Sequence, residues 1–272
     1  MIGAGGCASE PTRAQCPPSR FRSDVPLVIA HAGGEGLGPS NTILAMERSV
    51  AAGADVLDVD VWMSSDGVIV TRHDRDVATT TGGTGNVDEL TWSQLQLLDT
   101  RVGWTGEEIS EPVRIPSLED VVSSFPQMRI SIEIKQPDPL IATRLCEVLE
   151  ATDSIDRVYV SSVRDDEAYA TRAACPRVTI TTTDSDVVAR RAAREEGVAW
   201  CAPSPIGQPR YRAERFTPEE VQRSHDSGLA IYTWTIDDPD TLLELARAGV
   251  DGVYTRRPDI ARMVFDQFAE SG

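Results

Sequence analysis

Short runs rich in β-branched residues alternate with amphipathic stretches from residue 27 to the end of the chain. This alternation is typical of βα units arranged around a parallel sheet. Eight runs are predicted as core strands, at residues 27–30, 56–61, 129–134, 157–161, 177–181, 198–202, 230–235 and 252–255. Because eight such units close on themselves, we predict an α/β fold, a (β/α)8 TIM barrel, spanning residues 25–272.

One connection departs from the pattern, because the segment that follows the second strand carries no crossover helix. It contains a tight turn at Asp66 and Gly67, which predicts a hairpin. A Thr/Gly-rich loop and a linker follow. We therefore treat residues 62–116 as an insertion after strand 2, and long insertions of this kind are usually functional.

The first 24 residues show no helical or strand period and are predicted to form a flexible leader. Small residues before Cys7, followed by a Pro-containing polar stretch, resemble the end of a bacterial lipoprotein signal. Two interpretations stay open, a tether with a lipid anchor at Cys7 and a plain disordered N-terminus. An exported or membrane-anchored lipoprotein and a cytoplasmic protein therefore both remain compatible with the sequence, which does not specify an oligomeric state.

Charge and motifs exclude several classes of function. The net charge of -17 argues against nucleic acid or an anionic membrane surface as the partner. No segment has the roughly 20 apolar residues of a transmembrane helix, and no Gly-rich nucleotide motif is present. The five cysteines lack the spacing of a zinc site. Cys146 and Cys175 are one candidate disulfide if the chain is exported.

Two of the three histidines follow strands. His31 comes directly after the first strand, and His73 ends the hairpin run. The carboxyl ends of barrel strands open on one face, where the catalytic residues of barrel enzymes collect. We therefore predict that His31 and His73 are catalytic, whereas His225 is expected on the surface of a late helix.

Three carboxylates point to a metal site. Asp58 and Asp60 alternate with apolar residues, so both face the same side of strand 2, the barrel interior. Glu133 repeats this arrangement one core strand further on. Like charges this close need a compensating cation or bound proton, and an all-oxygen set suits a hard divalent ion, Mg²⁺ or Ca²⁺. A structural network of carboxylates with arginines is the alternative.

These motifs together resemble the glycerophosphodiester phosphodiesterase family over nearly the whole stretch from residue 28 to residue 258. The order and spacing of the pieces carry the resemblance, and the pieces are Ile29-Ala-His31-Ala-Gly33, Asn41-Thr42, Asp58-Val-Asp60, Asp66-Gly67, His73-Asp74, Thr80-Thr81, Ile115-Pro-Ser-Leu118, Ile132-Glu133-Ile-Lys135, Trp234-Thr235 and Gly249-Val-Asp-Gly-Val-Tyr-Thr255.

The resemblance implies a barrel with an insertion after strand 2 and the same five site residues. In the family reaction a glycerol hydroxyl attacks phosphorus, and the two histidines act as general base and acid. A divalent cation bound by Asp58, Asp60 and Glu133 stabilises the developing charge. The resemblance also implies that Lys135, Trp234 and Asn41 bind a small phosphodiester substrate.

Several positions depart from the family pattern. Ala32 stands where an arginine usually contacts phosphate, and a methyl group cannot replace a guanidinium. Arg72 and Arg75, which flank His73, are the candidate substitutes. Asp58 stands in place of a glutamate and is one methylene, about 1.5 Å, shorter. Ser40, Thr79 and Arg257 differ as well.

The leading hypothesis is a metal-dependent phosphodiester hydrolase acting on glycerophosphodiesters, lysophospholipids or related alcohol phosphodiesters. The alternative is a non-catalytic barrel that binds a phospho-ligand, to which Ala32 and Ser40 point. The retained carboxylates favour the enzyme, because buried unpaired charges destabilise a fold that has lost its metal. A glycosidase with paired carboxylates leaves the two histidines unexplained.

Overall fold

Eight parallel strands form the barrel wall in the computed structural model, which describes residues 16–137, 139–162 and 164–271. In space they follow the order β6-β5-β4-β2-β1-β9-β8-β7, and β3 pairs antiparallel with β2. At the remaining gap the Thr182 amide donates to the Ile206 carbonyl at 2.8 Å, which nearly closes the barrel. The predicted (β/α)8 fold is confirmed. In chain order the strands are β1 (Leu27–Ala30), β2 (Val56–Met63), β3 (Ile69–Thr71), β4 (Arg129–Ile134), β5 (Val158–Ser161), β6 (Thr179–Ile180), β7 (Ile206–Gly207), β8 (Ala230–Thr233) and β9 (Gly252–Thr255).

Helices cover the outer surface of the wall. Several begin directly after a Thr or Asp whose side chain accepts a backbone N–H, as Thr42, Thr183, Thr217 and Asp238 do. Among the described residues, no helix has the length and apolar character needed to cross a membrane. The helices are α1 (Ile43–Ala51), α2 (Ala78–Thr81), α3 (Trp92–Leu95), α4 (Leu118–Ser124), α5 (Pro139–Ala151), α6 (Asp165–Ala174), α7 (Asp184–Glu196), α8 (Pro218–Asp226), α9 (Pro239–Ala248) and α10 (Pro258–Ser271).

The alternation along β2 separates two environments. Leu57, Val59 and Val61 belong to the large apolar core between sheet and helices. Val56 belongs to a smaller cluster inside the barrel. Because successive strand residues face opposite sides, Asp58 and Asp60 share the interior face with Val56, as the sequence predicted.

The described part of the expected leader contacts the barrel. Cys16 forms a disulfide with Cys201. The Phe21 side chain is buried with the aromatic cluster inside the barrel, and its carbonyl accepts a hydrogen bond from the Tyr232 hydroxyl at 3.0 Å. The expectation of a flexible segment is therefore corrected for residues 16–24, because a covalent link and a buried aromatic ring hold it.

Residues 1–15 lie outside the described residues, and with them Cys7, the expected lipid anchor. The structure also joins Cys146 and Cys175 in a disulfide, the pair that the sequence singled out. That pair connects α5 to the end of α6.

The hairpin insertion has a small core of its own. The chain turns at Asp66 and Gly67, where Gly67 adopts a φ of 85° that favours glycine. Residues from β2, β3 and the following loop then pack together, namely Trp62, Val70, Val77, Val87, Leu95 and Ile115. This cluster explains how a long excursion whose single strand, β3, has three residues stays attached to the barrel.

The seventh predicted strand is wrong in position. Residues 198–202 form no strand, Val198 is 55% exposed, and Cys201 is tied to Cys16. The wall is completed by β7, whose Ile206 pairs with Ala230. A two-residue strand that contains a glycine and lies between prolines gives no period for a sequence pattern to detect.

His225 is buried, contrary to the expected surface position. Its Nε2 lies 2.8 Å from Oδ2 of Asp251, which also accepts the Ile231 amide at 2.7 Å. His225 therefore links α8 to the sheet and takes no part in the site described next.

Candidate active site

The strand ends bring the predicted site residues to one end of the barrel. His31 follows β1, Asp58 and Asp60 are the third and fifth residues of β2, and Asp60 stands directly opposite Glu133 in the parallel register of β2 and β4. A cavity of about 680 Å³ opens at this end. Its wall includes six of the predicted residues, His31, Asp58, His73, Glu133, Lys135 and Trp234.

Lys135 is the cation of the carboxylate cluster. Its Nζ donates to Oε1 of Glu133 at 2.7 Å and lies 3.1 Å from Oδ1 of Asp60, in an ion pair without hydrogen-bond geometry. Burial raises the pKa of Glu133, Lys135 counteracts this, and Asp60 and Asp58 add to the rise. Burial alone would lower the pKa of Lys135, but the charges of Asp60 and Glu133 raise it.

His31 and Asp58 form a buried ion pair. The Nδ1 of His31 lies 3.1 Å from Oδ2 of Asp58, which also accepts the Ala32 amide at 3.3 Å. Burial favours the neutral imidazole, but the hydrogen bond to Asp58 and the charges of Asp58, Asp60 and Glu35 outweigh it and raise the pKa of His31 to about 9. His31 is therefore protonated at neutral pH in the metal-free protein, with Nε2 left for a second contact.

His73 approaches the cavity from the insertion. The Arg72 amide donates to the Asp60 carbonyl at 2.8 Å, which holds the end of the hairpin against β2. The Nδ1 of His73 lies 2.8 Å from Oδ1 of Asp74, and the imidazole is 57% exposed. Each histidine thus has an aspartate at Nδ1, an arrangement that orients an imidazole and leaves Nε2 for proton transfer.

Asn41 lies behind the cavity wall and not in it. Its Nδ2 donates to Oδ2 of Asp60 at 2.9 Å, and its Oδ1 accepts the Asp60 amide at 2.9 Å. The side chain is buried, and its partner in both bonds is Asp60. The structure therefore corrects the predicted substrate contact: Asn41 positions Asp60.

The two arginines proposed as phosphate contacts are also directed elsewhere. Arg72 is buried and donates to the carbonyls of Asp74 and Asp76 and to the hydroxyl of Thr80, so its guanidinium holds the loop together. Arg75 forms a two-pronged ion pair with Asp88 on the surface. Neither belongs to the cavity wall, and within the described residues the basic side chains in contact with the carboxylates are those of Lys135 and His31.

Trp234 lies at the rim of the cavity. Its ring is 38% exposed, its Nε1 donates to the Gln208 carbonyl at 3.0 Å, and the Arg210 guanidinium lies 5.8 Å from the ring centre. The prediction placed Trp234 in the pocket wall, and it lies there. The flanking Gln208 and Arg210 gave no signal in the sequence.

A buried hydroxyl network under the site was missed by the sequence analysis. The Tyr254 hydroxyl lies 3.2 Å from Ser131 Oγ and 3.2 Å from the Tyr159 hydroxyl, and it also contacts Gln208 Nε2. Burial raises the pKa of Tyr254 well above its usual value, so it stays neutral near Asp58. Its one sequence signal is the family motif that ends at Thr255.

The carboxylate oxygens of the site are ligands of the kind that a hard divalent cation prefers. Asp58, Asp60 and Glu133 supply only oxygens, and Oδ1 of Asp60 is buried and accepts no hydrogen bond from the described residues. Within residues 16–137, 139–162 and 164–271, no group of three His, Cys, Asp or Glu side chains is arranged so that it could hold a metal ion. Lys135 lies between two of the carboxylates, and its ammonium supplies the positive charge there.

Fold and site together define an enzyme-like (β/α)8 barrel with acid–base and carboxylate groups at the carboxyl ends of its strands. Residues 31–260 match the Glycerophosphoryl diester phosphodiesterase family. The chain belongs to this family, which confirms the resemblance seen in the sequence and the prediction of a phosphoric diester hydrolase.

The chain is similar to relatives along most of its length. It is 30% identical over 239 residues to the probable glycerophosphodiester phosphodiesterase 2 of Mycobacterium tuberculosis, covering 83% of this chain and 85% of that protein. It is 29% identical over 248 residues to a glycerophosphodiester phosphodiesterase of Caldanaerobacter subterraneus subsp. tengcongensis, covering 86% and 95%. A phosphodiesterase of Oleispira antarctica, solved with its product sn-glycerol-3-phosphate, shares the fold with a TM-score of 0.75 at 22% identity, covering 89% and 97%.

Proposed function

We propose that this protein hydrolyses glycerophosphodiesters or related alcohol phosphodiesters, including lysophospholipids, and depends on a divalent cation, Mg²⁺ or Ca²⁺. The observation that supports it most is the meeting of His31 and His73, each with an aspartate at Nδ1, at one cavity with Glu133 and Lys135. Membership of the family adds to this support.

The histidines supply the proton transfers. His31, with Nδ1 held 3.1 Å from Oδ2 of Asp58, takes the role of the general acid that protonates the leaving alcohol oxygen as the P–O bond breaks. His73, with Nδ1 held by Asp74, takes the role of base and removes the proton from the attacking nucleophile. The nucleophile is a glycerol hydroxyl, whose attack gives a cyclic phosphate that water then opens, or water itself where the substrate has no such hydroxyl.

Asp58, Asp60 and Glu133 would hold the divalent cation. When bound, the cation supplies positive charge to the phosphate oxygens without a proton. Lys135 orients and neutralises the same carboxylates, and we assign its ammonium to a phosphate oxygen as a point charge. Trp234 gives the alcohol part of the substrate an apolar surface.

The test is hydrolysis of bis(p-nitrophenyl) phosphate and of a panel of glycerophosphodiesters with Mg²⁺ or Ca²⁺. We expect activity that EDTA, His31→Ala and His73→Ala each abolish. The third histidine gives a control: His225→Gln removes a buried bond outside the cavity and should lower stability while hydrolysis persists. No turnover of any diester with either metal would refute the proposal.

A crystal soaked with the cation tests the ligands separately. We expect the ion to contact Asp58, Asp60 and Glu133. An ion bound elsewhere would refute the ligand assignment even if hydrolysis is observed.

A further inference from the structure

The catalytic cavity continues through the barrel wall. The same space that touches His31 and Lys135 is also lined by Gly207 and, beyond it, by four apolar side chains, Phe216, Val221, Leu229 and Ile231. It leaves the barrel between β6 and β7, where the bond from the Thr182 amide to the Ile206 carbonyl joins the strand ends. We call this extension the apolar arm and define it by Gly207 and those four side chains.

The apolar arm lies on the outer face of the sheet. Tyr232 belongs to the cluster inside the barrel. Because strand residues alternate in direction, its neighbour Ile231 faces outward, and Ile231, Leu229 and Val221 belong to the core between sheet and helices. The arm is therefore a part of that core which side chains do not fill.

Two features keep the arm open. Gly207 has no side chain, and a Cβ added there would meet Ile231 Cδ1 at 3.4 Å and Leu229 Cδ1 at 3.7 Å. Of the α7 residues, only Ala193 is buried. Where neighbouring helices bury apolar residues against the sheet, α7 turns Arg190 and Arg194 towards the cavity.

The arginine charges have partners of their own. Arg190 donates to Ser224 Oγ at 2.8 Å, and Arg194 lies 3.3 Å from Glu220. Long side chains held in this way present their methylene stems to an apolar space while their charged ends stay at its edge. The arm thus has apolar walls and a polar rim.

Protein interiors are close-packed, so an apolar space of this kind beside a catalytic site indicates a ligand. We propose that the apolar arm binds a single acyl or alkyl chain carried by the glycerol of the substrate, so that the enzyme prefers lysophospholipid-type diesters over deacylated ones. This inference rests on the proposed function. A fully deacylated glycerophosphodiester has no group that would occupy the arm.

The test is a series of 1-acyl-glycerophosphocholines with two to eight acyl carbons, kept below the concentrations at which they form micelles. We expect kcat/KM to rise about fourfold for each added methylene until the arm is full. A flat or falling series would overturn the proposal.

Variants locate the effect in the arm. Gly207→Val places methyl groups against Ile231 and Leu229 and should flatten the dependence on chain length. Val187 lies on the exposed part of the cavity wall, so Val187→Trp should reduce the dependence of kcat/KM on chain length without a change in the core. The matched control is Val188→Trp, the adjacent exposed residue outside the wall. An undiminished series in both Gly207→Val and Val187→Trp, or an equal loss in Val188→Trp, would overturn the proposal.

A binding measurement separates this inference from the proposed function. Calorimetry with the same series on His31→Ala should show affinity that rises with chain length. Binding of this kind without turnover by the unmodified protein would refute the proposed function and support the arm. Turnover with no chain dependence in either measurement would refute the arm and leave the function standing.

Discussion

Replacing Lys135 by methionine tests the charge balance of the site most directly. The ammonium lies 2.7 Å from Glu133 and 3.1 Å from Asp60, and the Asp60 side chain is fully buried. Removing one partner of a buried ion pair typically costs about 3–5 kcal/mol. Because the Glu133 side chain is 32% exposed, solvent screens part of the loss, and we expect about 3 kcal/mol less free energy of unfolding in EDTA.

A divalent cation should reverse most of this loss. The carboxylates that Lys135 neutralises are the ones proposed to hold the metal, so ammonium and metal compete for them in the unmodified protein. In Lys135→Met the competing ammonium is absent. Metal at about 1,000 times its dissociation constant adds about 4 kcal/mol of stability, and we expect the variant to gain more from it than the unmodified protein does.

Urea unfolding of both proteins, in EDTA and in Mg²⁺ or Ca²⁺, measures these quantities. Arg144→Met is a matched control, because the Arg144–Glu147 ion pair lies exposed outside the cavity, and its loss should cost under about 1 kcal/mol in both media. Lys135 is also the only lysine in the sequence. Reductive ¹³C-methylation therefore gives one lysine signal, which should shift when metal is added.

Equal stabilisation of Lys135→Met and the unmodified protein by metal would refute the reasoning. So would a methyl-lysine signal that does not respond to metal, because either result would place the cation away from Lys135.

Three further predictions follow from contacts around the site and the barrel. In EDTA, the pKa of His31 is raised from 6.5 to about 9. The protonated imidazole therefore stabilises the fold fully below pH 6.5, and this stabilisation is lost as the pH rises through about 9. The urea midpoint should fall over this interval in the unmodified protein but not in His31→Gln. Asn41→Ala removes both bonds to Asp60 and should cost about 2–4 kcal/mol, whereas Asn41→Gly should cost about 1 kcal/mol less because residue 41 has a φ of 59°; equal unfolding free energies of the two variants would contradict this. Cys16→Ser breaks the disulfide to Cys201 and should cost about 2–5 kcal/mol, with faster amide hydrogen exchange around Phe21; unchanged exchange there would show that packing alone holds the segment.

The carboxylates could be predicted because their placement is a local property. The two-residue period of β2 sets the direction of Asp58 and Asp60, and the parallel register then sets Glu133 opposite Asp60. His31 could be predicted for the same reason, since it follows a short strand whose end is clear in the sequence. In each case the backbone direction decides where a short side chain goes.

The contacts of the long side chains could not be predicted from the sequence in this way. Arg72 and Arg75 stand beside His73 in the chain, but the loop carbonyls and Asp88 determine where their guanidinium groups lie. Asn41 has a short side chain, but its left-handed backbone turns it towards Asp60. The fold of the loop after His73 and the contact between Asn41 and β2 decide these cases, and no strand or helix period in the sequence indicates them.

The break between β6 and β7 is the clearest example of this limit. Each strand has two residues, so few backbone hydrogen bonds are available at the seam. The run at 198–202 has the composition of a strand, yet it forms none, and its Cys201 is joined to Cys16 of the N-terminal segment; a strand with a glycine completes the wall in its place. Because β7 takes the place of the predicted strand, a glycine, Gly207, lies in the barrel wall. The absence of a side chain at this position opens the wall beside the catalytic groups. With an acyl or alkyl chain bound in the apolar arm, the substrate preference of this enzyme arises from the opening between β6 and β7. The family motifs alone do not reveal this preference.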